Sequence, residues 1–158
     1  MNSAQLHLMF THLPIVGLVI AILINFYTVF NKSNEVKKLT LWTYAVLGIF
    51  ALLAYLTGDG AEEILKTYPG ITESLIEPHE QFALFFFIGL LILSVSSMIG
   101  LYVTKAKETL LKNFNLYLLI AALLLSILAF ETGATGGNIR HTEIKQGCLI
   151  SKQQISKK

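Results

Sequence analysis

Apolar residues fall into four long runs, at about 13–30, 39–56, 82–103 and 114–130, and charge is concentrated in the stretches between them. Each run is within the roughly 17–25 residues that a helix needs to cross a bilayer. Lipid offers the backbone no hydrogen-bond partners, so such runs are expected as helices. The links after the first and third runs are short, which predicts antiparallel neighbours in an up-down-up-down arrangement. The expected fold class is all-α: an integral membrane antiparallel four-helix bundle, with short lid helices at one end.

The first run has a mostly apolar leader, SAQLHLMFTH, that ends just before Pro14. Proline cannot donate to the helical ladder, so the helix is expected to begin near Thr11 or to kink there. His7 and His12 flank this point. On an unbroken helix five residues set them about 140° apart. A kink is what would let both serve one centre.

The long middle link, 57–81, is too long for a turn. Asp59 can cap a short helix containing AEEILK, Tyr68-Pro69-Gly70 reads as a turn, and Thr72 can cap a second piece, ESLIE. Pro78 suits the first turn of the third span, which would place His79 and Glu80 at that helix's N-terminus. Two short amphipathic helices are expected to lie over this end as a lid.

Charge orients the bundle. The two short links carry Lys32, Lys37, Lys38, Lys105, Lys107 and Lys112 and net +4, whereas the middle link nets −5. The positive-inside rule puts the lysine-rich end in the cytoplasm and the middle link outside, together with both termini. Trp42 lies near the lysine-rich end, where an aromatic anchor belongs. The C-terminal stretch from Glu131 nets +3 and pulls the other way.

Composition agrees with the runs. The chain has 158 residues, 54% hydrophobic and 14% charged, with mean hydropathy +0.63, outside the range of soluble domains. A net charge of +2 gives no pull toward nucleic acid. Cys148 is the only cysteine, which excludes a disulfide framework, a CxxC zinc pair and a CxxCH haem attachment. The N-terminus has no basic region or small-residue cleavage site, so the first span is expected to be retained. One transmembrane domain, 1–144, is expected, with a polar tail, 145–158, in which Cys148 is an incidental thiol.

Chain parity places chemistry at one end. Spans 1 and 3 begin, and spans 2 and 4 finish, at the end that carries the middle link. All four histidines (His7, His12, His79 and His141) therefore gather there, with Asp59, Glu62, Glu63, Glu80 and Arg140. Ionisable groups at one end of a membrane bundle mark a candidate site. A lone interfacial histidine is also an ordinary amphipathic residue, Glu80 also suits a helix's first turn as a plain charge, and Glu62 and Glu63 also suit a solvated lid. Gly17, Gly48, Gly89 and Gly100 read first as close helix packing. The last run leads into ETGATGGNIRHTEI, 131–144. Its Gly133, Gly136 and Gly137 permit sharp turns. We read it as a closing loop that presents His141 as a ligand and Arg140 as an anion partner.

LHLMFTHLPIVG, YLTGDGAEE, YPGITESLIEPHEQFAL and GGNIRHTEI together resemble a group of uncharacterised four-span bacterial membrane proteins, over nearly the whole chain to about Ile144. The matching positions include His7, His12, Gly58, Glu62, His79, Glu80, Gly136, Gly137, Arg140 and His141. Thr142 stands where that family often has proline. Related domains resemble modules fused to c-type cytochromes. The resemblance implies a bacterial membrane and a c-type cytochrome or respiratory complex as partner; with the charge rule and parity, the expectation is the inner membrane with both termini periplasmic. A homo-oligomer is compatible with it.

The function expected first is a membrane b-type haem protein for electron transfer at the periplasmic face, with one or two haems. Its axial ligands would come from His12, His79, His141 and His7, with Arg140 pairing the propionates and Gly136 and Gly137 shaping the slot. The alternative is a non-haem iron, copper or zinc site in which Glu62 and Glu80 join the histidines. A third reading is a non-catalytic subunit of a larger membrane complex. No HExxH occurs, since His79-Glu80 is followed by Gln81-Phe82-Ala83. An electron carrier or complex subunit is expected ahead of a stand-alone enzyme.

Overall fold

The computed structural model describes residues 2–31, 33–104 and 109–140. They form α1 (Ser3–Phe30), α2 (Asn34–Leu56), α3 (Gly58–Leu65), α4 (Glu73–Thr104) and α5 (Thr109–Arg140). Among the described residues there is no strand. Four helical stretches are long and apolar enough to cross a membrane: Ser3–Phe30, Asn34–Leu65, Glu73–Val103 and Asn113–Ile139.

Asn2 starts α1 with a capping box: its side chain accepts from the Gln5 N–H at 2.9 Å, and the Gln5 side chain accepts from the Asn2 N–H at 3.2 Å. The helix then continues through Pro14 to Phe30, so proline neither starts it nor ends it. The cost of the missing hydrogen bond is borne inside an apolar bundle, where Pro14 is buried. α4 is also longer than expected. It begins at Glu73 and runs through Pro78, so ESLIE is its first turns and not a separate lid helix. Tyr68-Pro69-Gly70 forms the expected turn: Ile71 N–H reaches Tyr68 O at 3.4 Å, and Gly70 has φ +84°, the pattern of a type II turn. The glycine stretch after Phe130 does not form a loop. Through Arg140 it is the last part of α5, with Thr132 and Ile139 buried, because a helix keeps its backbone bonded within itself.

The helices make a ring in which α1 packs on α2 and α5, and α4 packs on α2 and α5. α1 and α4 therefore face each other across one diagonal. α3 folds back on the start of α1, where Gly60 lies so close to Ser3 that a Cβ would come within 2.8 Å of its side chain. The core runs along the bundle axis through Leu18, Leu47, Phe86, Leu90, Leu93 and Leu125. The outer surface is equally apolar: Leu23, Ile49, Phe85, Ile92, Leu124 and Ile127 are all exposed. Such a surface fits hydrocarbon, where it needs no cover. Trp42 is among the exposed residues, at the lysine-rich end.

Candidate functional site

His7 sits in the second turn of α1, and its ring reaches across to the end of α2. Its Nδ1–H donates to the Ala54 carbonyl at 2.9 Å and lies 3.3 Å from Thr57 Oγ1. A carbonyl oxygen only accepts, so the proton is on Nδ1, and the Nε2 lone pair of the neutral ring is left available. Thr57 can take part because its own hydroxyl proton goes to the Leu53 or Ala54 carbonyl, at 3.0 and 2.9 Å.

His79 makes the same set of contacts from α4 to α5. Its Nδ1–H donates to the Thr132 carbonyl at 3.1 Å and lies 3.4 Å from Thr135 Oγ1. Thr135 in turn donates to the Glu131 carbonyl at 2.6 Å. The ring lies flat enough against α5 that a Cβ at Gly136 would come within 3.0 Å of its Cε1. Glycine is needed there for close approach. Gly133 and Gly137 face open space.

The two rings face each other across the bundle, with centroids 6.4 Å apart and planes at 90°. Both are more than half enclosed, and each is held in one tautomer by a backbone carbonyl. Metal-binding imidazoles are commonly fixed in this way, with the free nitrogen directed at the ion.

The other expected residues are distributed differently. His12 is exposed on α1, and its ring bonds back to the Leu8 carbonyl within its own helix. With α1 unbroken, it is His7 that α1 turns toward His79. Glu62 and Glu80 lie within hydrogen-bonding reach of each other, and Glu62 also pairs with Lys66 one turn on. Among the described residues, no group of three or more histidine, cysteine, aspartate or glutamate side chains converges. Arg140 closes α5 at the histidine end. His141 and the tail 145–158, with Cys148, lie outside the described residues.

The residues that sequence reasoning passed over are Thr57, Thr135 and the carbonyls of Ala54 and Thr132. A signal was available. The pair Thr-Gly occurs at 57–58, 132–133 and 135–136, each time just after an apolar run that follows a histidine-led run.

Four membrane-spanning helices with a histidine pair enclosed at one end define an integral membrane protein of the four-helix bundle class. The chain belongs to the family DUF2231, described as a predicted membrane protein, whose model matches residues 3–142. No curated protein matches the chain, and no solved structure matches it.

Proposed function

We propose that this membrane protein binds haem b between His7 and His79 and works in electron transfer. The observation that carries the reading is the pair of imidazoles across the bundle, each with Nδ1–H fixed on a carbonyl and, among the described residues, no hydrogen-bond partner at Nε2. His7 and His79 would hold the iron; their ring centroids, 6.4 Å apart, are close enough for two imidazoles to share one ion. A low-spin, six-coordinate haem iron takes two protein ligands. A non-haem ion needs more donors, and among the described residues neither Glu62 nor Glu80 joins the pair as a third.

When bound, the haem would supply a one-electron couple. The chain's own part is to hold both rings in one tautomer and orientation, and to exclude water with the apolar layer beneath them, which includes Phe86 and Leu90. Arg140 is the cation proposed for the propionates, because α5 ends with it at the histidine end. The charge pattern supports placing this end at the periplasmic face of a bacterial inner membrane; a c-type cytochrome or respiratory complex as redox partner rests on the family resemblance alone.

The test is an optical spectrum of the protein purified from cells supplied with haem. A Soret band with low-spin features is expected, and His7→Ala and His79→Ala should each make it high-spin or abolish it. No Soret absorption, with stoichiometric copper, zinc or non-haem iron instead, would transfer the same two histidines to a non-haem site.

A further inference from the structure

His7 and His79 are 72 residues apart, and so are Phe10 and Phe82, Gly17 and Gly89, and the fully buried Leu18 and Leu90. In the following helix of each pair a second constant spacing holds. Leu47 and Leu125 are 78 apart, as are Ala51 and Ala129, Thr57 and Thr135, and Gly58 and Gly136. The six-residue difference is spread over the end of α4, the link and the start of α5, at the end away from the histidines.

The contacts repeat along with the letters. Gly17 accepts the side chain of Leu47 so closely that no Cβ would fit, and Gly89 does the same for Leu125. His7 bonds the carbonyl of residue 54 and the hydroxyl of Thr57, and His79 bonds the carbonyl of residue 132 and the hydroxyl of Thr135. Positions 54 and 132 differ in side chain, Ala against Thr, but a carbonyl contact does not depend on the side chain. Burial repeats at positions whose residues differ: Asn25 matches Ser97, Tyr44 matches Ala122, and Ala61 matches Ile139, and all six are buried.

Both hairpins start at the histidine end, so a rotation about an axis along the bundle relates them, as in parallel-repeat membrane proteins. Exchanging the hairpins maps the packing onto itself, since α1 packs on α2 and α5 while α4 packs on α5 and α2. His12 corresponds to Leu84, and His141 to Glu63. Of the four histidines, only His7 and His79 have each other as counterparts.

We infer that the chain is one helical hairpin repeated in tandem, and that His7 and His79 are the same residue of that hairpin, meeting across a pseudo-twofold axis as equivalent donors that share one ligand per chain. That the ligand is haem iron rests on the reading above; the equivalence does not. A single shared centre replaces the choice between one and two haems.

The test uses the full chain with ¹⁵N-labelled histidine in detergent micelles, with His12→Gln to simplify assignment. Without added ligand, His7 and His79 should both carry the proton on Nδ1 and show an unprotonated Nε2. Haemin titrated into the same protein should reach its absorbance end point at one per chain. Thr57→Val and Thr135→Val should each weaken haemin binding by about 10-fold, as loss of a group that orients a ligand does, and to a similar extent. Different tautomers at the two histidines, an end point of two haemins, or a large effect of one threonine beside none of the other would overturn the inference. Matching tautomers in a protein that takes up no haemin would support the repeat and end the haem reading.

Discussion

Asn115 is enclosed within the bundle. Its Nδ2 donates to the Leu111 carbonyl at 3.0 Å, while its Oδ1 has no hydrogen-bond partner among the described residues. Its neighbour Asn25 is fully used, donating to Tyr44 OH at 3.2 Å and to the Asn115 carbonyl at 3.1 Å. The two asparagines should therefore respond with opposite signs. A buried acceptor without a partner costs roughly 1–3 kcal/mol, so Asn115→Leu is expected to raise stability, and Asn25→Leu, which strips partners from two buried groups, to lower it by a similar amount. Denaturant unfolding in micelles reads both, and a destabilised Asn115→Leu would mean that Oδ1 is satisfied. The glycines of α5 make a second such pair. Gly136→Ala should push the His79 ring off Thr132 and weaken ligand binding, because the new Cβ lands 3.0 Å from the ring. Gly137→Ala meets nothing and should stabilise the helix by up to about 1 kcal/mol.

Among the elements, α3 and the turn after it differ in how firmly they are held. α3 lies against α1 with Gly60 on Ser3 and Ala61 buried. Residues 66–70 are all exposed, and the turn depends on Gly70 at φ +84°. Limited proteolysis of the folded protein should cut within 66–72 and leave 58–65 intact. First cleavage inside 58–65 would show that α3 detaches on its own. Gly70→Ala forces a side chain into the left-handed region and should cost about 1–2 kcal/mol. α1 and α4 show how packing overrides a local signal. Pro14 and Pro78 each read as a helix start, yet both sit inside helices that continue on either side.

For the whole molecule, the proposed orientation rests on the +4 and −5 links and the parity of four spans. Cys148, the sole cysteine, should react with a membrane-impermeant maleimide in intact spheroplasts; labelling only after lysis would place the histidine end in the cytoplasm. The number of spans, the antiparallel order and the end at which His7, His12 and His79 lie were legible from hydropathy and parity. Lipid leaves the backbone no alternative to helix, and each crossing reverses direction. The turn at Tyr68-Pro69-Gly70 was legible because proline and glycine impose their own dihedrals. Which histidines meet was not legible from hydropathy and parity; the 72-residue spacing marks His7 and His79 as counterparts but does not say that they touch. His12 and His7 are five residues apart on one helix, and only the rotation of α1, set by how Gly17 packs on Leu47, decides that His7 turns inward. The helical state of 131–140 was hidden too: glycine permits both loop and helix, and what selects helix is enclosure beside α4, where His79 lies against Gly136. The partners of both imidazoles are backbone carbonyls, whose positions no side-chain pattern records. The sequence by itself determined a four-span membrane bundle with its acidic middle link, His7 and His79 at one end. The tertiary structure alone decided that His7 and His79 face each other at 6.4 Å, because a distance across a bundle depends on helix rotation and close packing, which one-dimensional spacing does not contain.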